Sequence, residues 1–280
     1  MKLFPLEDLP NLRKLNLAVV GHVEWVTFLS VEKFPQPGVI SHGEIYREEP
    51  AGGAAVAAVK IAKLTRSSVH LFTALGNDLE GRKSFKRLEN LGIEMSVAWR
   101  DKPTRKAISM IDIRGERAIT VAGDRLQPIA EDQLPWEKLN NYDGIFVTAT
   151  DSKALHYCRK AKIMITTPRI GLSKFDGSNI KLDALIGSDL DPDEKQVRKR
   201  ILQPAPKLRI ATQGAMGGEA WPGGRFEAFK LNSKVVDAYG CGDSFAAGVT
   251  AGLSSGWETQ EAISLGAHCG AECATHLGPY

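Results

Sequence analysis

The sequence predicts an α/β fold of three layers, a mainly parallel central sheet between helices, with a small β-lid. Three observations predict it. Short apolar, β-branched runs recur along the chain, amphipathic stretches separate them, and two segments break the alternation. At 280 residues, with 43% hydrophobic and 25% charged, the chain can bury a large core.

Taken in order, Leu17–Val20, Val69–Ala74, Gly144–Ala149, Lys162–Thr166, Leu182–Ile186 and Leu208–Thr212 read as buried strands. Helical patterns run over Gly53–Leu64, Leu79–Leu91, Asp151–Ala161 and Pro192–Leu202; the second is apolar at 85, 88 and 91 and basic at 82, 83, 86 and 87. Parallel neighbours need such crossovers, which cover the sheet on both faces. The interruptions fall at 25–47 and 105–121. In the second, Lys106–Ile113 and Glu116–Val121 read as a hairpin about Gly115. These two segments form the lid. No repeat or low-complexity linker divides the chain, so 1–280 reads as one domain with the lid inserted in it.

The net charge of +3 is scattered along the chain, which does not suggest nucleic acid as a partner. The N-terminal stretch Met1 to Pro10 carries prolines and acids, and no segment supplies the roughly 20 apolar residues of a membrane span. A cytoplasmic protein with no membrane partner is expected. The four cysteines lack the spacing of a zinc ribbon or a redox pair, so they read as buried thiols and no structural metal is assigned.

The run Asp237-Ala-Tyr-Gly-Cys-Gly-Asp243 carries the chemistry. It follows the strand-like Ser233–Val236 and opens a predicted helix over Ser244–Leu253. Glycines at a helix start leave backbone N–H groups unpaired, and the helix dipole adds partial positive charge there. Gly240, Cys241 and Gly242 therefore suit a phosphoryl group in flight. Asp243 beside them can accept a hydroxyl proton, the one base function that phosphoryl transfer to an alcohol requires. It can equally cap the helix. The four residues alone leave both roles open.

Asp-x-x-Gly-x-Gly-Asp ahead of an Ala/Gly-rich helix resembles the C-terminal signature of the ribokinase-like, or PfkB-type, carbohydrate kinases. Four other segments agree in order. Val19-Val20-Gly21 is similar to the family's first strand, and Ala51-Gly52-Gly53 resembles its glycine pair. Thr73 to Gly81 resembles its Gly-x-Asp-x-x-Gly segment, and Thr212-Gln-Gly214-Ala-Met-Gly217-Gly218 its nucleotide-binding Thr-x-Gly-x-x-Gly. The likeness runs from about residue 17 to 278.

The resemblance implies a ribokinase-like fold and a phosphotransferase that moves the γ-phosphoryl of ATP to an alcohol of a sugar or sugar-like small molecule, with Asp243 as general base. It places Gly52 and Gly53 against the acceptor and Thr212, Gly214 and Gly217 along ATP, with His268 near the adenine. Gly187-Ser188-Asp189-Leu190-Asp191 sits at the family's Asn-x-x-Glu motif, so Asp191 is the carboxylate expected to help hold Mg2+; acids capping the next helix are the competing reading. Relatives also bind a monovalent cation near the signature loop, which stays open here. Paired lid strands in relatives suggest a homodimer through the lid.

Three departures stand out. Where relatives carry Asn and Asp after the first-strand glycine, this chain has Glu24 and Val26, and Glu24 is expected to recover the carboxylate contact with the acceptor. Ala57 replaces a sugar-contacting Asn in the first helix. The lid is rich in arginine and lysine: Arg47, Arg105, Lys106, Arg114 and Arg117, of which Arg105 and Arg117 are the candidates to clamp a phosphorylated or acidic substrate. These changes leave two alternatives: a nucleoside or pyrimidine kinase of the same superfamily, or a sugar-binding regulatory protein without activity. A dinucleotide site is not expected, because no Gly-x-Gly-x-x-Gly follows the first strand.

Overall fold

The computed structural model describes residues 1–230 and 233–280. Its centre is a nine-stranded sheet built from β1 (Leu17–Val20), β4 (Val69–Gly76), β5 (Ile93–Arg100), β8 (Gly144–Val147), β9 (Ile163–Thr166), β10 (Ala184–Ser188), β11 (Leu208–Thr212), β12 (Gly218–Trp221) and β13 (Gly224–Phe226), in the spatial order β13-β12-β11-β10-β9-β8-β1-β4-β5. The pairings from β5 across to β11 are parallel, and β12 and β13 add an antiparallel edge. The order reverses at β1, whose neighbours are β4 on one side and β8 on the other. A crevice opens at the carboxyl ends of strands at such a switch point.

Burial on both faces explains the uninterrupted apolar strands. Along β1, Leu17 and Val19 pack into one core with Ala54, Ala58, Phe245 and Val249, while Ala18 and Val20 pack into another with Trp136, Leu139 and Leu155. The first core lies under α1 (Gly53–Thr65), α2 (Leu79–Asn90), α5 (Cys241–Ser254) and α6 (Thr259–Cys273). The second is covered by α3 (Ala154–Cys158), α4 (Gln196–Lys199) and short 3-10 turns. Three layers follow from this alternation.

A separate four-stranded sheet, ordered β3-β2-β6-β7, forms the lid from β2 (Glu24–Val31), β3 (Gly43–Ala51), β6 (Lys106–Asp112) and β7 (Arg117–Ala122). The β6–β7 hairpin turns at Gly115, at φ 81°. Val26 and Phe28 face inward and pack with Ala51, Val56, Ala107 and Tyr239.

Some elements differ from expectation. Ser233–Val236 pairs with no strand; the Val236 amide donates instead to the Ala274 carbonyl at the end of α6, at 2.7 Å. The helix predicted over 151–161 is cut to α3, because Asp151 accepts from the Ala154 amide before it and the Arg159 guanidinium takes the carbonyls of Ala161, Lys162 and Lys181 after it. The stretch from Pro192 keeps helix only over α4. Among the described residues no helix is long and apolar enough to cross a membrane.

Candidate active site

Two helix N-termini meet in a cleft of about 1820 Å3 that runs from the lid to the antiparallel edge. The first is α5. Gly240, in the left-handed conformation at φ 78°, caps it without a side chain, and α5 begins at Cys241 rather than at Ser244. A side chain at Gly240 would be strained by that φ and would also meet Val56 at 2.9 Å. Asp243 is therefore the third helical residue, and the reading of it as an N-cap falls. The amides of Cys241, Gly242 and Asp243 are the orphan donors of this first turn. That of Cys241 lies 3.4 Å from the Ala238 carbonyl, so Gly242 and Asp243 supply the freer pair.

The second is α1, capped by Gly52 at φ 83°. A Cβ added at Gly53 would lie 2.8 Å from Asp243 Oδ1 and 3.4 Å from Thr148 Cγ2. The glycine pair thus brings the backbone against the Asp243 carboxyl. Burial pushes Asp243 up to about 7, helped by the nearby Glu194 and Glu24 and opposed by Arg169 and Arg125. A carboxyl poised near neutrality at a helix N-terminus can take a proton and release it.

The other aspartate of the run does something else. Asp237 is 2% exposed; its carboxylate accepts from the amides of Tyr239 (2.9 Å) and Gly278 (3.2 Å) and from the Tyr46 hydroxyl (3.4 Å). It folds the loop that carries Gly240. Tyr239 packs edge-on against Phe28 of the lid at 5.0 Å, and its hydroxyl accepts from the Gly52 amide at 3.3 Å. One side chain therefore joins the lid, the glycine pair and the α5 loop.

On the lid side, Glu24 is buried and lines the cleft, with Arg105 Nε 3.3 Å from its carboxylate. Burial pushes Glu24 up while Arg105 and Arg125 hold it down. Arg117 also lines the cleft, its guanidinium 5.7 Å from the Tyr239 ring. The remaining basic residues of the lid lie elsewhere: Arg114 pairs with Asp112 in the hairpin turn, Lys106 with Glu80, and Arg47 reaches the Tyr280 carbonyl. Val26 and Ala57 are fully buried in the cores, and neither lines the cleft.

Toward the antiparallel edge, Thr212, Gly214 and Gly217 line the cleft, and the same residues make the β11–β12 hairpin. A Cβ at Gly217 would meet the Phe226 carbonyl at 2.1 Å. His268 does not reach the cleft. α6 presents Ala267, Gly270, Ala271 and Ala274 there, and His268, one position round, bonds the Phe4 carbonyl (3.1 Å) and packs on Phe229 at 3.8 Å. Asp191 lines the cleft together with Glu194, and Arg169 bonds both. Glu194 also accepts from the Ser188 amide at 2.7 Å. Both are carboxylates of the kind a divalent cation takes, but Arg169 pairs with each, and among the described residues no group of three or more His, Cys, Asp or Glu stands together there.

Sequence reasoning missed His22, Arg125, Arg169 and Thr148. His22 is buried; its Nδ1 lies 2.9 Å from an Arg125 guanidinium nitrogen, and burial with the nearby Arg125, Arg105 and Arg169 pushes it well below its usual range. Arg125 also donates to the Arg169 carbonyl at 2.8 Å. Only the position of His22 beside the first-strand glycine hinted at a place in the cleft.

A family model described as pfkB family carbohydrate kinase matches residues 14–165 and 179–280. The chain is 22% identical over 274 residues to an ATP-dependent ribose-1-phosphate kinase of Halopiger xanaduensis, covering 92% of this chain and 91% of that protein. Among solved structures, a ribokinase from Thermotoga maritima superposes with a TM-score of 0.73 at 24% identity, covering 95% of this chain and 94% of the other. The adenosine kinase of Sinorhizobium meliloti superposes with a TM-score of 0.74 at 16% identity, over 95% and 96%. These likenesses establish the fold.

Proposed function

The chain belongs to the pfkB family of carbohydrate kinases and is a phosphotransferase, and on that premise we propose that it moves the γ-phosphoryl of ATP to a hydroxyl of a sugar or sugar-like acceptor, with Asp243 as general base. One observation carries this reading: the carboxyl of Asp243 stands between two helix N-termini, within 2.8 Å of the place a Gly53 side chain would fill.

The acceptor lies against Gly52 and Gly53, and Glu24 and Arg105 hold it from the lid. Its hydroxyl gives its proton to Asp243 as its oxygen attacks the γ-phosphorus in line; the bond from that phosphorus to the bridging oxygen breaks and ADP leaves. The amides of Gly242 and Asp243 meet the charge on the transferring group. The nucleotide lies along Thr212, Gly214 and Gly217 and the α6 face from Ala267 to Ala274. Magnesium takes carboxylate oxygens, and binding it here would require Arg169 to release Asp191 or Glu194. Asp191 and Glu194 would hold it with waters and phosphate oxygens, where it offsets phosphate charge. Closure by the lid excludes water, the competing acceptor.

A second copy of the chain is the partner proposed for the outer lid face, where Ile45, Leu29, Met110 and Ala118 stand side by side across four strands; Ile45 is 60% exposed.

The test is ADP release with magnesium ATP across sugars, sugar phosphates and nucleosides. Wild type is expected to turn over at least one acceptor, and Asp243→Asn to lose about 100-fold or more while still binding ATP. Turnover retained in Asp243→Asn would remove the base; no turnover with any acceptor would favour a non-catalytic binding protein.

A further inference from the structure

Resting on the kinase reading, we infer that the acceptor is a phosphate ester, whose phosphate is held by Arg105 and Arg125 with His22 at the inner end of the cleft. Three groups converge there from separate parts of the chain, and all three line the cleft. Their hydrogen-bonding capacity is not used up within the protein. Arg125 Nε is buried without a hydrogen-bond partner, and Arg105 Nε has only the Glu24 carboxylate, at 3.3 Å, beside it. Leaving such groups poorly paired is costly, and a ligand with several acceptor oxygens satisfies the guanidinium groups that carry them.

The charges point the same way. Arg169 is committed to Asp191 and Glu194, and Arg105 faces Glu24 at 3.3 Å. Arg125 faces no carboxylate at hydrogen-bond distance among the described residues. Its contacts are His22 Nδ1 at 2.9 Å and the carbonyls of Arg169 at 2.8 Å and Thr148 at 3.5 Å, all neutral acceptors. Burial and the nearby charges of Arg105 and Arg169 hold Arg125 down to about 10. The carboxyls of Glu24 and Asp243 attract this guanidinium without reaching hydrogen-bond distance, and a phosphate dianion provides a close counter-charge.

His22 adds a directional donor. Because its Nδ1 accepts from the guanidinium, its proton sits on Nε2, which lies 3.0 Å from the place a Gly52 side chain would occupy. Two guanidinium forks and an imidazole N–H exceed what one carboxylate can accept, and they match the three terminal oxygens of a phosphate monoester. The γ-phosphoryl of ATP is not the anion they await: it has the α5 amides, and these residues stand with Glu24, Gly52 and Gly53 on the acceptor side. A neutral sugar or nucleoside would leave Arg125 without a close counter-charge.

The test is isothermal titration calorimetry of the whole chain without nucleotide, using ribose 1-phosphate, ribose 5-phosphate and fructose 6-phosphate against ribose and fructose, with adenosine as a further probe. At least one ester is expected to bind about 30-fold or more tightly than its parent sugar. Arg125→Gln is expected to remove that advantage while leaving the affinity for ATP unchanged, and Arg105→Gln to remove part of it. A parent sugar or adenosine that binds as tightly as every ester, the absence of binding by all three esters, or an Arg125→Gln variant that loses ATP affinity in equal measure each overturns the inference. Binding needs no phosphoryl transfer, so ester binding without turnover would sink the kinase reading while leaving this clamp standing.

Discussion

The α-carbon of Gly53 faces the carboxyl of Asp243 so closely that a methyl group on it would sit 2.8 Å from Oδ1. Two helices that start 188 positions apart are thereby brought backbone to side chain. On the proposed reading, the reacting hydroxyl fits beside both.

Gly53→Ala tests this. Alanine is the better helix former and Gly53 has an ordinary φ, so the folded state is expected to lose little, with a melting temperature within a few degrees of wild type. The rate is expected to fall about 100-fold, because the added methyl displaces the Asp243 carboxyl from its productive position. Calorimetry and steady-state kinetics on the same preparation separate the two effects.

The pH profile follows from the raised Asp243. The base works only when ionised, so kcat/KM is expected to rise about tenfold per pH unit below a limb near 7 and to level off above it. The sign for stability is opposite. A carboxyl raised in the folded state stabilises it fully below its ordinary range and loses that contribution as pH climbs through about 7. Asp243→Asn is therefore expected to raise the melting temperature relative to wild type at pH 8 by more than at pH 5. Equal differences at both values would count against the shift.

Asp237 predicts a different phenotype. Asp237→Ala leaves the buried amides of Tyr239 and Gly278 without their acceptor, a loss of about 2–4 kcal/mol that denaturant titration will show as a lower midpoint. Activity is expected to fall with the folded fraction and to recover in part on cooling.

The outer lid face predicts an association change. Ile45→Glu places a charge in the exposed apolar stripe, and sedimentation velocity is expected to give a dimer for wild type and a monomer for the variant. A wild-type monomer at micromolar concentration would end the proposal of a lid dimer.

Strands buried on both faces announce themselves as apolar runs, which is why β1 and β11 were legible to the residue and the three layers followed. Asp243 was legible because its glycines and its acid are adjacent in the chain. Spacing, however, locates a residue without fixing which way it points. Ala57 matches a sugar-contacting position by count yet lies in the core, and His268 lies one step round α6 from the small residues that line the cleft. His22, Arg125, Arg169 and Thr148 carry no shared local pattern. They come from four connections and strand ends, and only the tertiary fold makes them neighbours.

Arg105, Arg117 and Arg125 gather positive charge at the lid end of the cleft in a chain whose overall charge is only +3, while Arg169 is answered by Asp191 and Glu194. Walls of low polarisability focus such a field outward into solvent. Anions diffusing nearby are drawn toward the opening before they touch it. Added salt shortens the reach of that attraction to a few ångströms, so ionic strength governs how often productive collisions occur while leaving the geometry inside untouched.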